Sequence, residues 1–141
     1  MRWRGVLVLG LALLAACASR PQTSTKATDP WADLTVQLRS TPLLRPGQDV
    51  KITWTVKNIG HAPAPESHMD IIVKNAHAPR QVAKTFKRKV RALGAGDEFS
   101  STFSVRLSIG LYEICGTADR KKKVRDSDRK NNQDCILIEG K

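Results

Sequence analysis

The chain has 141 residues, with 24 Lys and Arg against 13 Asp and Glu, for a formal net charge of +11. That length allows one domain and excludes an enzyme of several subdomains, while 26% charged and 40% hydrophobic residues describe a globular chain rather than a disordered or collagen-like one. Aromatic residues at 5% are too few for a base-stacking nucleic-acid platform, and a single continuous apolar run excludes a polytopic membrane protein.

That run comes first. Met1-Arg2-Trp3-Arg4 is basic, and Gly5 to Ala16 is an apolar stretch of twelve residues. As a helix it rises about 18 Å, against roughly 30 Å for a bilayer core, so it is too short to span. A basic start, a short apolar segment and small residues at its end describe a secretory signal peptide over residues 1–16. Leu14-Ala15-Ala16-Cys17 resembles the bacterial lipobox. The resemblance implies that cleavage leaves Cys17 as an acylated first residue; an ordinary signal peptide whose cleavage site contains a cysteine is the alternative. Ala18 and Ser19 follow with no Asp in the second mature position, which in Gram-negative lipoproteins implies the outer membrane. Loss of Arg2 and Arg4 leaves 22 basic and 13 acidic side chains, a net +9. Residues 17–31 then read as the lipidated Cys and a flexible tether rich in Ser, Thr, Pro, Gln and Lys, unable to bury enough surface to order itself. Its reach is on the order of 20 Å.

From Ala32 the pattern turns to period two, and residues 32–141 form the folded domain. Leu34, Val36 and Leu38 alternate with polar residues; after Arg45-Pro46-Gly47, so do Val50, Ile52, Trp54 and Val56. Asn58-Ile59-Gly60 breaks that strand, and Pro63 and Pro65 keep the next loop extended. Met69, Ile71 and Val73 make a third strand, and Val82 to Val90 a weaker, basic one. After Gly94-Ala95-Gly96-Asp97 come Phe99, Ser101, Phe103, Val105 and Leu107, then Tyr112, Ile114 and Gly116, and finally Ile136 and Ile138. Each run fits a half-buried strand and none fits a helix. The expectation is an all-β, antiparallel two-sheet sandwich of about seven strands.

The ordered pieces ADLTV from Ala32, PGQDVKITWTVKNIGHAPA from Pro46, LGAGDEFSSTFSV from Leu93, GLYEICGTAD from Gly110 and VRDSDRKNN from Val124 resemble the CARDB domain, the cell adhesion related domain found in bacteria. The resemblance covers about residues 32–140 and implies an immunoglobulin-like fold in a cell-envelope protein. One departure concerns the last turn, which in the family is acidic and here is interrupted by Arg129 and Lys130.

With Cys17 assigned to lipid, Cys115 and Cys135 remain as an even pair in an oxidising compartment, and a disulfide is expected, two free thiols being the alternative. If Tyr112 and Ile114 point inward in one strand, and Ile136 and Ile138 in the next, both cysteines lie on the outer face. Directly opposed residues of adjacent antiparallel strands are close enough to bond.

Candidate chemistry is sparse. His61, His68 and His77 are read as loop histidines, since the last two flank a strand and stand too far apart to share an ion. Asp119, Asp126, Asp128 and Asn131 could offer oxygens to calcium, but seven basic residues between Arg120 and Lys130 oppose a cation, and Asp and Asn also stabilise turns by themselves. No nucleophile has a base nearby and no phosphate loop is present, so no catalytic residue, metal or cofactor is assigned. Two basic clusters remain: Lys84, Lys87, Arg88, Lys89 and Arg91, and a candidate anion-binding patch of Arg120, Lys121, Lys122, Lys123 and Arg125. The expected partners are the membrane, through the lipid anchor, and an anionic glycan, a lipid or an acidic protein; export removes nucleic acid from consideration. Two functions follow, a non-catalytic binding or adhesion module, or an accessory subunit that assembles by pairing a strand edge. Simple solvated surface is the alternative for the basic clusters.

Overall fold

Alternating apolar residues become strands because successive side chains of an extended chain point to opposite faces. The computed structural model describes residues 30–42, 47–78 and 80–140. Cys17 and the motif around it lie outside the described residues, as do Arg45 and Pro46. Among the described residues seven strands are present, β1 (Leu34–Ser40), β2 (Asp49–Asn58), β3 (Ser67–Asn75), β4 (Val82–Val90), β5 (Glu98–Arg106), β6 (Gly110–Ala118) and β7 (Gln133–Gly140). They pair antiparallel in two sheets, β1-β2-β5 and β4-β3-β6-β7. The fold is thus the expected all-β, immunoglobulin-like sandwich, three strands facing four.

The inner faces supply the core. Val50, Ile52, Trp54 and Val56 of β2 oppose Met69, Ile71 and Val73 of β3 and Ile114 of β6, each no more than 1% exposed. The Trp54 ring packs on Phe99, centroids 5.6 Å apart, and Phe86 of β4 reaches Phe103 of β5 at 4.7 Å. Phe86 and Val90 are the inward anchors of β4, whose other residues are exposed; this explains the weak periodicity of that segment.

Strand directions gather segments 30–33, 59–66, 91–97 and 119–132 at one end of the sandwich. Asn58, fully buried, joins three of them. Its Oδ1 accepts the amides of Asp33 and Gly60, both at 3.1 Å, and its Nδ2 donates to the carbonyls of Ala62 (2.8 Å), Leu93 (3.2 Å) and Gly94 (3.1 Å). Gly60 is required beside it, because a Cβ there would stand 2.4 Å from the Trp31 carbonyl oxygen.

The free edge of β1 is closed by the last loop and β7. The Leu34 amide donates to Asp126 Oδ2 (3.1 Å), that of Val36 to the Asn131 carbonyl (3.2 Å) and that of Leu38 to Asp134 Oδ2 (2.7 Å). One expectation is corrected here. His68 is not a loop residue but the second residue of β3, because Ser67, 3% exposed, already pairs with Val90.

Candidate anion-binding surface

The connection from β6 to β7 carries the predicted patch. It begins at Asp119, whose φ of +46° lies in the left-handed region that Asp tolerates better than most residues. Its side chain, 2% exposed, turns back into the loop: Oδ1 accepts the Lys123 amide (2.9 Å) and Oδ2 the Val124 amide (2.8 Å). The Lys122 amide donates to the Asp119 carbonyl (2.8 Å), and Lys122 is itself left-handed at φ +56°. Turns of this kind aim backbone amides at an anion; here Asp119 fills that place from within. Arg129 closes the arrangement, with Nη1 3.4 Å from Asp119 Oδ2 and Nη2 donating to the Val124 carbonyl. Val124 is 1% exposed and plugs the loop into the core.

The second half of the loop is held by Asx turns. Asp126 Oδ1 accepts the Asp128 amide (3.0 Å), Asp126 Oδ2 accepts Asn132 Nδ2 (2.9 Å), and Asp128 Oδ1 accepts the Lys130 amide (2.9 Å). The Ser127 amide donates to the Ala32 carbonyl at 2.9 Å, and Asn131 Nδ2 to Asp33 Oδ1 at 2.7 Å.

The five cations of the patch do not share one face. Arg120 and Lys122 line an open cleft of about 380 Å³ over the outer face of the four-stranded sheet, together with Lys74 of β3 and Arg129. Lys121 and Lys123 turn the other way, into a narrow crevice with His68, Asp70 and Lys87, which Arg120 also borders. Arg125 leaves both and stacks over Trp31, its guanidinium carbon 3.3 Å from the ring centroid. Lys74 and Arg129 were not among the candidates. The alternation of β3 marks Lys74 as outward, but its place beside this loop needs the pairing of β3 with β6.

The β4 cluster behaves differently. Lys87 faces the crevice, but Lys89 pairs with Glu66 (2.8 Å), Lys84 Nζ donates to the Arg106 carbonyl (3.3 Å), Arg91 donates to the carbonyls of Ala92 and Glu98, and Arg88 lies over the Phe86 ring. Most of these charges serve their own surroundings.

Cys115 and Cys135 are register partners with Cα atoms 4.1 Å apart, joined through sulfur. A carboxylate oxygen of Glu113 lies within 4.8 Å of both sulfurs, but bonded sulfurs offer no thiolate to a metal.

The CARDB family model matches residues 31–134. Solved structures similar to this chain include a CARDB domain from Pyrococcus furiosus in complex with di-metal ions, 22% identical with a TM-score of 0.66, covering 81% of this chain and 92% of that one. Another is a domain, residues 272–376, of a protein described as cell-surface from Methanosarcina acetivorans, 21% identical with a TM-score of 0.59, covering 79% and 93%. A β-glucosidase from Listeria innocua in complex with isofagomine is 16% identical with a TM-score of 0.52, covering 77% of this chain but 16% of the enzyme. At these identities the likeness is one of fold. No curated protein sequence matches the chain.

Proposed function

The chain belongs to the CARDB family, and from that premise we propose that it is a non-catalytic binding module of the cell envelope that engages anionic material through its basic loop end. The observation that carries this reading is the turn at Asp119 and Arg129, which fixes a cationic surface in place. A preorganised cluster loses less entropy on engaging a partner than an equally charged mobile tail. Anionic glycan, lipid headgroups or an acidic protein all have the required charge. The β-glucosidase likeness adds no catalysis, since it spans only 16% of that enzyme.

A lipid anchor at Cys17 and residence in the outer membrane complete the proposal. Trp31, where the folded part begins, sits at the same end as the basic loop, so a tether of residues 17–31 would bring that end toward the membrane. Palmitate incorporation that persists in a Cys17→Ser variant would overturn the anchor.

The solved structure from Pyrococcus furiosus holds di-metal ions, whereas the carboxylates of the basic loop here are engaged by the protein itself. Asp119, Asp126 and Asp128 already accept backbone amides, and Arg129 brings a guanidinium onto Asp119. Strand-edge assembly through β1 or β4 is disfavoured. The β1 amides at 34, 36 and 38 are taken, and β4 carries cations of the kind that discourage strand addition.

The test is retention of the purified protein on vesicles containing phosphatidylglycerol and on an acidic polysaccharide. Exposed charges act within a Debye length of about 8 Å at physiological ionic strength. Retention should therefore fall steeply as salt rises from about 50 to 500 mM. Absence of retention at low salt, or retention indifferent to salt, contradicts the proposal.

A further inference from the structure

We infer that the cleft over the outer face of the four-stranded sheet is a subsite for a single phosphate group, a deepening that rests on the anion-binding reading above. Four cations border it, Lys74, Arg120, Lys122 and Arg129, against one carboxylate, Asp119. That carboxylate is 2% exposed and already met by two amides and a guanidinium, so it contributes little repulsion at the mouth. The four cations come from β3 and from both arms of the loop, and therefore converge on the cleft rather than lying along one face.

Arg129 is the positioned member. Its side chain is 32% exposed, and its guanidinium is held by Asp119 and the Val124 carbonyl, which engage two of its five N–H donors. A planar donor fixed in this way suits the oxygens of a phosphate. The lysines supply mobile point charges around it. Thr117 and Gln133 lie at the cleft wall as register partners across β6 and β7 and offer a hydroxyl and an amide. The next pair on that outer face is the bonded Cys115 and Cys135, so the floor is covalently pinned beside the site. At about 380 Å³ the cleft holds a phosphate with part of the group it esterifies, within the usual range of small-ligand sites. The crevice bordered by Lys121 and Lys123, about 10 Å³, holds no such group.

Titration of the protein with inorganic phosphate at low ionic strength, followed by backbone amide resonances, tests this. Saturable shifts at Thr117, Arg129 and Gln133 are expected, with a dissociation constant in the millimolar range. Lys74→Gln should weaken binding at least fivefold. It lies on β3 outside the loop, so it decides the matter even if Arg129→Gln loosens the turn. Lys51→Gln removes the same charge from the opposite sheet and should change affinity less than twofold. No saturation, or equal losses from Lys51→Gln and Lys74→Gln, overturns the subsite. If retention on anionic vesicles survives in that case, the broader reading stands without it; if retention is also absent, both fall. Vesicles identify the source: displacement from phosphatidylglycerol vesicles by inorganic phosphate, beyond that caused by chloride at the same ionic strength, supports a lipid phosphate in the cleft. Persistent vesicle binding at saturating phosphate supports a free or polymer-borne phosphate there.

Discussion

Two polar side chains at the same end of the sandwich solve the same problem in opposite ways. Asn58 and Asp119 each hold loop backbone that no strand pairs. Asn58 is neutral, fully buried and surrounded by the carbonyls and amides of three segments, and it displays nothing. Asp119 is charged, gathers the amides of Lys123 and Val124 beneath it, and leaves a ring of cations facing outward. The first joint closes the fold, and the second presents a surface. Damage to each should therefore register in a different measurement.

The largest effect on stability is expected at the closed joint. Asn58→Ala orphans several buried backbone groups and should cost about 3 kcal/mol or more. That lowers the melting temperature by on the order of 10–20 °C. Binding of anions by the fraction still folded should be unchanged; a lost affinity would mean the two joints are coupled. Next comes the covalent pin. Replacing both Cys115 and Cys135 by Ser should cost about 2–3 kcal/mol, given a closed loop of this length, and peptide mapping of the unreduced protein should recover the two as a linked pair. Two thiols alkylated without reductant would contradict the pairing. Asp119→Ala should cost about 2 kcal/mol, because it strips charge-assisted bonds from two amides and Arg129. Unlike Asn58→Ala, it should also weaken anion binding by disordering the cations. Stable protein with unchanged binding would show that the turn does not depend on Asp119. The smallest effect belongs to Arg125→Ala, which loses a cation–ring contact worth about 0.5–1 kcal/mol at an exposed site. Phosphate binding should not move, since Arg125 stands over Trp31 and not at the cleft.

The sandwich was legible in the sequence because a half-buried strand shows its burial directly. Ile52, Trp54 and Val56 alternate in the chain as they do in the core. The opposition of Cys115 and Cys135 follows from the same alternation, which turns Ile114 and Ile136 inward. The site was legible only as charge. Run length shows that Arg120 to Lys123 are cations, but not that Lys122 lines the cleft while Lys121 and Lys123 border the crevice. Lys74 joins the cleft through the pairing of β3 with β6, in which it stands opposite Glu113, 39 positions away in the chain. Arg129 looked like an interruption of an acidic turn, and its part in holding Asp119 depends on the turn's geometry. Asn58 was visible only as the end of a strand, because the groups it bonds come from segments distant in sequence.

The claim that the loop displays a fixed anion-binding surface is tested most directly by reversing Lys121, Lys122 and Lys123 to Glu together. All three side chains are exposed, and among the described contacts their backbone, not their charge, engages the turn. Circular dichroism and the melting temperature should stay close to those of the parent protein, while low-salt retention on phosphatidylglycerol vesicles and acidic polysaccharide is lost. A folded triple variant that is retained as the parent is would contradict the account and leave these charges as solvated surface.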